Sequence, residues 1–571
     1  MSDFSRIPVF TLDIDLPWCG NTYGVAPCTA SGPSGSECYH SYRTCQDKAN
    51  FDKTAKTVSL CTPGAPLPAD VQSRPYIKKD GVQLSPTEID PYKGLAVRAS
   101  ATVACQDEPC PDHEFDPYHA TRASVAGGSF WSRLLARFPY SNLPARLKRA
   151  YFTDGWDAGD FTTEHYIIES ITGPDSSGNV QIKMKDLLQL STKKLVPAPT
   201  PGKLAAVLGT NDLSMTLETG NGAYYAASGY VRVGDQVIRY TSNAGDVLSW
   251  PDSTYRSQFG TTAVEQAIGD GVQQCKVYNS GERVHEVIQD LCNESGIDDA
   301  NIDLAGNEAD DDQWLGVRYE LNDCCLSEPT QVSVYLEELG QQTGGAIWLD
   351  PEAQKVKYRY IGPQSPAALV GSTLTRTANL IDGQTRIQPQ DGLRLTRAAV
   401  YYSLVTATSN TREGKNYLRP ALFIDADAES DNEYGDVRDQ VIYSRWFTAD
   451  NDLAMQGFIA RRVGRYRDVP RNIECKVDPK DAAVREGDLY DVTTAQLVAA
   501  DGSTQAVRCL VVKRKDNGNG VDLTLQTTNF TRRYGFIAPN GTSDYPGNDG
   551  YACICLNTGK FSDGSDGYRI I

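Results

Sequence analysis

Residues 164–190 read EHYIIESITGPDSSGNVQIKMKDLLQL. Two runs rich in branched and aromatic residues flank a turn built from Gly173-Pro174 through Gly178. On the return run Val180, Ile182 and Met184 alternate with polar neighbours. Period two on either side of a Gly/Pro turn predicts a β-hairpin with one buried face. The same signature recurs along the chain. Residues 5–16 set Ile7, Val9, Thr11 and Ile14 among polar neighbours, and LAVRASATVAC resumes the pattern after Gly94. GYVRVGDQVIRYT (229–241) is a strand pair about Gly234-Asp235, and AIWLD and KVKYRYI pair about an Asp-Pro turn. RNIECKVDP and REGDLYDVTT continue it in the last third.

Helices are fewer. Ser129 caps a short stripe of Phe130, Leu134 and Leu135. Val284, Val287, Ile288 and Leu291 share a face that stops at Gly296, and VSVYLEELGQQTGG (332–345) ends at a Gly pair. Asp450 or Asp452 caps LAMQGFIARRVGRY, in which Ile459 and Val463 share a face. Arg461, Arg462 and Arg465 crowd its C-terminal half, where cations suit the helix dipole. The acidic run EADDDQW (308–314) lacks the interleaved Gly and distal Glu of a calcium loop and reads as a solvated loop.

With 571 residues the chain exceeds one core, so several domains are expected. Forty-nine glycines, 30 prolines and more Tyr (30) than Phe (15) favour a multidomain, β-rich α+β protein with many turns. No apolar run approaches the roughly 20 residues of a membrane span. The first residues lack a basic stretch followed by an apolar one, so synthesis without a secretory leader, in the cytoplasm, is expected. A net charge of −18 repels phosphate and disfavours sequence-specific nucleic-acid binding, yet suits a wall past which DNA slides without sticking.

One segment concentrates possible chemistry. CGNTYGVAPCTASGPSGSECYHSYRTC (19–45) holds Cys19, Cys28, Cys38 and Cys45 in a Gly/Ser/Pro-rich stretch with little apolar surface of its own. The spacing C-x8-C-x9-C-x6-C is neither a zinc knuckle nor a ferredoxin pattern. It leaves two readings open: four thiolates around a metal or cluster, or cysteines unpaired or in disulfides. His40 and Cys61 are spare candidate ligands. Fifteen cysteines, an odd number, argue against a fully paired framework at cytoplasmic redox poise. Cys105, Cys110, His113 and His119 form C-x4-C-x2-H-x5-H, a zinc candidate set against the plainer reading that Cys105 ends a buried strand. Cys324-Cys325 read as core residues, as do Cys553 and Cys555. No G-x-S-x-G, H-E-x-x-H, P-loop or G-x-G-x-x-G is present, so no enzyme is expected.

CGNTYGVAPCTA, ECYHSYRTCQDKANF, GGSFWSRLLARFPY, SGYVRVGDQVIRYT, RSQFGTTAVEQAIGDGVQQC and the closing YGFIAPNGTSDYP and DGSDGYRII follow one another along nearly the whole chain. In this order they resemble the baseplate hub proteins of long-tailed, non-contractile phages (siphophages). The resemblance implies a virion protein at the tail tip. It implies a homotrimer with two tail-tube-like β domains per subunit, so that three copies form a pseudo-sixfold ring under a distal tail protein or tail-tube hexamer. The tape-measure protein and tail fibre or tip proteins are the further partners it implies. The lambda-type minor tail protein carries a similar four-cysteine segment. By that similarity Cys19, Cys28, Cys38 and Cys45 ligate an iron–sulfur cluster of the [4Fe-4S] type, although here the segment opens a long chain and its third gap differs. Six units are expected: a cysteine-rich segment (1–70, ending in the linker 61–70), a first tube-like domain (71–200), a small β module (201–280), an α/β hub domain (281–395), a second tube-like domain (396–530) and an extended arm (531–571). A cell-envelope hydrolase or a carbohydrate-binding tip protein, with 201–280 as binder, is the alternative.

Overall fold

The computed structural model describes residues 8–528, apart from 32–37, 111–115, 117, 120–127, 153–155, 363–372, 482, 499–500 and 517–519, together with the backbone of 535–537 and 568–570. The protein is a multi-sheet, β-rich α+β chain.

The hairpin of 164–190 forms as its pattern dictates. β6 (Thr162–Thr172) and β7 (Asn179–Lys185) pair antiparallel, with Val180, Ile182 and Met184 buried. They sit inside a seven-stranded sheet with β1 (Pro8–Cys19), β2 (Lys53–Cys61), β3 (Ile77–Ser85), β4 (Ser100–Gln106) and β5 (Pro144–Tyr151). The order is β2-β1-β5-β6-β7-β4-β3. α1 (Phe130–Arg137) seals one face with Phe130, Trp131 and Leu134, packed over Leu12, Ile14, Val103, Ile168 and Ile182. Ser129 stands at its N-cap, where the Ser132 hydroxyl accepts from the Ser129 N–H at 2.8 Å.

This sheet overrides the expected boundary between 70 and 71. β1 and β2 lie before it and pair with each other, and β1 pairs with β5 well beyond it (Leu12 opposite Leu147). Residues 61–70 connect two strands of one sheet and link no domains. The cysteine segment is therefore a hairpin loop of the first sheet domain rather than a unit preceding it.

The module near 201–280 has its own core of Leu204, Met215, Val231, Ile238, Leu248 and Trp250. Its Gly234-Asp235 hairpin forms as read, Gly229–Val233 against Gln236–Tyr240. Next comes a helical layer of α2 (Val284–Glu294), α3 (Leu304–Trp314) and α4 (Val332–Thr343), the last stopped by Gly344 at φ +78°. The short α5 (Ala426–Glu429) and the long α6 (Asp452–Tyr466) follow. α2, α4 and α6 bury Val287, Ile288, Leu336, Leu339, Phe458 and Ile459 against the hairpin Gly345–Asp350/Lys355–Tyr360 and a three-stranded sheet spanning 397–443. A second boundary moves for this reason. Ala398, Val400, Ala421 and Ile442 belong to the hub core, whereas Leu374 and Leu380, expected in the hub, belong to the second large sheet. That sheet has six strands between Leu374 and Thr527, antiparallel but for the parallel pair Leu374–Thr375 with Leu489–Thr493.

EADDDQW is helical. α3 carries it, with Asp311 wholly buried against Arg283 (3.0 Å) and the ring of His285 (2.7 Å). The cap of α6 is Asn451, whose side-chain oxygen accepts from Thr448 N–H at 2.9 Å. Asp452 instead accepts from the Tyr402 hydroxyl at 2.5 Å. Arg462 and Arg465 are buried rather than displayed. The arm 531–571, with Cys553 and Cys555, lies outside the described residues save for the antiparallel backbone pair 535–537 and 568–570. Among the described residues no helix is long and apolar enough to cross a membrane.

The two large sheets are fastened to each other. The Ile89 N–H donates to Val512 O at 2.8 Å, Glu88 bridges Lys513, and buried Arg149 reaches Asp516 at 3.1 Å. Ile89, Ala96, Trp348, Leu510 and Val512 form a small core at this seam. Gly94 (φ +88°) lies against Gly340 of α4 so closely that a Cβ on either would enter the other's backbone.

Candidate metal centre

Cys19 is the last residue of β1 and lies opposite Lys53, the first of β2, so residues 20–52 are the loop that closes this hairpin. Hydrogen bonds hold it. Gly20 N–H donates to Asp52 O and Cys19 N–H to His40 O, both at 2.8 Å, and the Asn21 amide donates to Asn50 O at 2.6 Å. The Asp47 carboxylate accepts from the Thr29 N–H (2.7 Å), the Thr29 hydroxyl (2.9 Å) and the Asn50 amide (3.0 Å). These bonds favour its ionised form and hold its pKa below the usual value, the Thr29 N–H contributing most.

His40 anchors the loop to the sheet. It is buried in a left-handed conformation (φ +53°), with its ring stacked on Trp18 at 4.8 Å and on Tyr118 at 5.5 Å. Trp18 stacks in turn on Phe138, and Lys56 lies over its outer face at 4.1 Å. His40 Nδ1 is 2.7 Å from Cys19 O, which can only accept, so Nδ1 carries the proton. Nε2 then accepts from the Tyr118 hydroxyl at 3.2 Å, and that hydroxyl accepts from Tyr23 N–H at 2.9 Å. Both ring nitrogens are engaged, so His40 is a brace for the quartet rather than the spare ligand it promised to be. Cys61 is no spare ligand either. It ends β2, eight residues from the loop, roughly 26 Å along the strand at about 3.3 Å per residue.

Cys19 is buried, Cys28, Cys38 and Cys45 are half-buried, and none forms a disulfide. Burial pushes the Cys38 thiol up, and the neighbouring Cys45, Cys19 and Cys28 push it further. Cys45 is raised in the same way by burial and then by Cys19 and Cys28. The Tyr118 hydroxyl is raised by burial and by Cys38, Cys28 and Cys19. Thiols that oppose each other's ionisation stay protonated or gather around positive charge. One tetrahedral zinc would draw four sulfurs to roughly 3.8 Å apart, from a Zn–S bond of about 2.3 Å. Among the described residues no three or more His, Cys, Asp or Glu side chains are grouped as a single-ion cage. A four-iron cubane asks less of the loop: it takes one sulfur per iron, at separate corners, and accommodates a wider quartet. The donor set present is four thiols, the ligand type that a zinc ion or an iron–sulfur cluster takes.

No family model and no curated protein matches this sequence. Among solved structures the chain is similar to the 43 kDa tail protein of prophage MuSo2 from Shewanella oneidensis, with 10% identity, 78% of this chain and 98% of that one covered, and a TM-score of 0.36. It is similar to the tail protein from Neisseria meningitidis MC58 (10%, 79% and 92%, TM-score 0.36) and to prophage tail protein gp18 from Listeria monocytogenes EGD-e (9%, 78% and 89%, TM-score 0.32).

Among the described residues Cys105, Cys110 and His119 of the second candidate set form no group that could hold a metal ion. Cys105 lies inside β4 in the sheet core, its thiol pushed up to about 12 by burial. Cys110 is half-buried and His119 Nδ1 is bonded to Asp116 O at 3.0 Å, while His113 lies outside the described residues. Elsewhere, a cleft of about 700 Å³ separates the β module from the hub and is lined by Tyr230, Arg239, Phe259, Asn279 and Asp323. The braces Trp18, Tyr23, Asp47 and Tyr118 went unread in the sequence. Trp18 abuts the first cysteine and could have been suspected, but Tyr118 lies 78 residues from His40 and left no local signal.

Proposed function

We propose that this chain is a structural hub of a siphophage tail tip. It joins the tail tube or distal tail protein to tip and fibre proteins, seats the tape-measure protein, and closes the DNA channel until host contact. The observation that supports it is the fastening of two large sheet domains to each other through Ile89–Val512, Glu88–Lys513 and Arg149–Asp516. A subunit with two rigidly paired sheets is what a trimer needs in order to present six units to a hexameric tube. In this reading Cys19, Cys28, Cys38 and Cys45 hold a [4Fe-4S] cluster, which fixes a loop too poor in apolar surface to fix itself. When bound, the cluster supplies covalent cross-links. The chain's own residues hold the loop that carries the sulfurs: His40 through Cys19 O and Tyr118, and Asp47 through Thr29 and Asn50.

Mass measurement of the purified chain tests the assembly. A trimer that binds its tail-tube partner is expected, and a persistent monomer refutes the hub. Iron and sulfide analysis after anaerobic preparation tests the cluster, for which zinc without iron is the refuting result. A second reading, carbohydrate binding at the tip, draws on the cleft flanked by Tyr230 and Phe259. A glycan-array signal abolished by Tyr230→Ala supports it, and its absence, with a blank zymogram, leaves the hub role alone.

A further inference from the structure

α6 sends three arginines toward the hub interior in its last two turns. Arg461, Arg462 and Arg465 line a small cavity with Tyr360, Phe458 and Tyr466. Arg462 is 5% exposed and Arg465 7% exposed. A buried guanidinium is costly unless a carboxylate or a full set of acceptors offsets it. Here the partners are neutral. Arg462 donates from Nε to Gln440 (2.6 Å) and from Nη2 to Tyr92 O (2.8 Å). Arg465 donates from Nη1 to Ile361 O (3.0 Å) and from Nη2 to Gln526 (3.3 Å). Asp90 is the carboxylate whose charge reaches Tyr466, but it is engaged by the N–H groups of Tyr92 (3.0 Å) and Lys93 (3.1 Å) and by the Lys93 ammonium at 3.7 Å.

A second observation points to the same place. Tyr466 is 1% exposed, its ring lies edge-on to Tyr92 at 5.2 Å, and its hydroxyl has no hydrogen-bond partner. Orphaned buried hydroxyls are rare and call for a missing acceptor or donor. Two buried guanidiniums bonded to neutral groups among the described residues, and a buried Tyr466 hydroxyl without a hydrogen-bond partner, belong to three residues that line one cavity and together call for a negative acceptor. The cavity measures about 20 Å³. A single water needs on the order of 10–15 Å³, so the space takes one atom-sized guest and excludes sulfate or phosphate.

We propose that this cavity is a binding site for a monatomic anion of chloride size, held by Arg462, Arg465 and the Tyr466 hydroxyl. The anion offsets the two guanidinium charges where α6 meets the loop at Tyr92, the strand end at Ile361 and the second sheet at Gln526. It thereby couples the hub core to both large sheets.

Thermal unfolding of the full-length assembly, at fixed ionic strength in sodium chloride, bromide or gluconate, tests this. Chloride and bromide are expected to raise Tm saturably by several degrees over gluconate. Tyr466→Phe keeps the ring and removes the orphaned hydroxyl, so it should fold. It should also require on the order of tenfold more halide for the same shift, the worth of a hydrogen bond to a charged group. Arg462→Met should abolish the halide response. Bromide-soaked crystals should show an anomalous peak between Arg462 and Arg465. Equal Tm in chloride and gluconate, or Tyr466→Phe titrating at the parent halide concentration, overturns the proposal, as does a cavity holding water alone in bromide.

Discussion

Replacing His40 with Phe separates the two ways in which this residue holds the cysteine loop. The new ring can keep the stack between Trp18 and Tyr118, whose centroids lie 4.8 and 5.5 Å from the imidazole. It cannot keep the hydrogen bonds to Cys19 O (2.7 Å) or to the Tyr118 hydroxyl (3.2 Å). The Tyr118 hydroxyl still accepts from Tyr23 N–H, so chiefly Cys19 O is left without its bond. Two lost bonds at about 1 kcal/mol each, plus part of the desolvation cost of one orphaned carbonyl, come to about 2.5 kcal/mol. That is roughly a 70-fold increase in the population of the opened loop, which hydrogen exchange reads directly at the Cys19 and Gly20 amides. Both amides bond across the loop base, to His40 O and Asp52 O. Exchange at these sites should therefore quicken by that factor while β6 and β7 amides stay protected. Exchange unchanged within about threefold at Cys19 would refute the assignment of His40 as the brace, whatever the loop binds.

Other outcomes follow from the same geometry. Serine at Cys19, Cys28, Cys38 or Cys45 should each lower the iron content of anaerobically prepared protein, whereas Cys61→Ser, at the far end of β2, should leave it unchanged; elemental analysis decides. Asp186 is buried in the first sheet domain, where its Oδ2 accepts from Ala99 N–H at 2.9 Å and Oδ1 has no partner. Burial raises its pKa to about 7. A carboxyl raised on folding contributes stability fully present below its unfolded value near 4, and that contribution is lost as pH rises toward 7. Asp186→Asn should thus stabilise the protein at pH 8, on the order of 3 kcal/mol by urea midpoint, and little at pH 4. For Asp311 the sign reverses. His285 and Arg283 hold its pKa below the usual carboxylate range against the opposing effect of burial, so its contribution is present above pH ~4 and fades as pH falls through the lowered value. Removing it as Asp311→Ala should cost about 3–5 kcal/mol at neutral pH. Gly340→Ala should cost about 1–3 kcal/mol by overpacking against Gly94, read as a lowered Tm.

What was legible in the sequence is what hydrophobic period encodes. The hairpins at 164–190 and 229–241 and the helices beginning near Val284 and Val332 each bury a regular apolar set, and their patterns follow from that alone. α3 was missed for the opposite reason. Its buried positions are Asn307 and Asp311, and their partners are Tyr358 N–H, Arg283 and His285, all distant in sequence. A helix that buries polar residues against polar partners leaves no apolar stripe to read. α6 hid its arginines likewise, because a cation near a helix C-terminus satisfies the dipole whether it faces water or a core.

The domain boundary failed on connectivity rather than on pattern. A Gly/Ser/Pro-rich stretch reads as punctuation, and the strands on either side of 20–52 were assigned to a segment that had no sheet of its own. Closing that stretch as a hairpin loop carries a chain-entropy cost of roughly 3 kcal/mol, from the logarithm of its length. β1 and β2 offset it by pairing from Thr11–Cys61 to Cys19–Lys53, but this orders only the two ends of the loop. Among the described residues the interior is held mainly by polar contacts of His40, Tyr118 and Asp47. Four sulfurs spaced through the loop, one at the strand end and three along the excursion, are placed where cross-links remove the most remaining freedom. In the proposed reading the quartet is a staple set into the first sheet domain, which is fastened to the second sheet through Arg149 and Asp516. On that reading, serine at the four cysteines should loosen the loop, read as faster hydrogen exchange at its amides, and leave that seam intact.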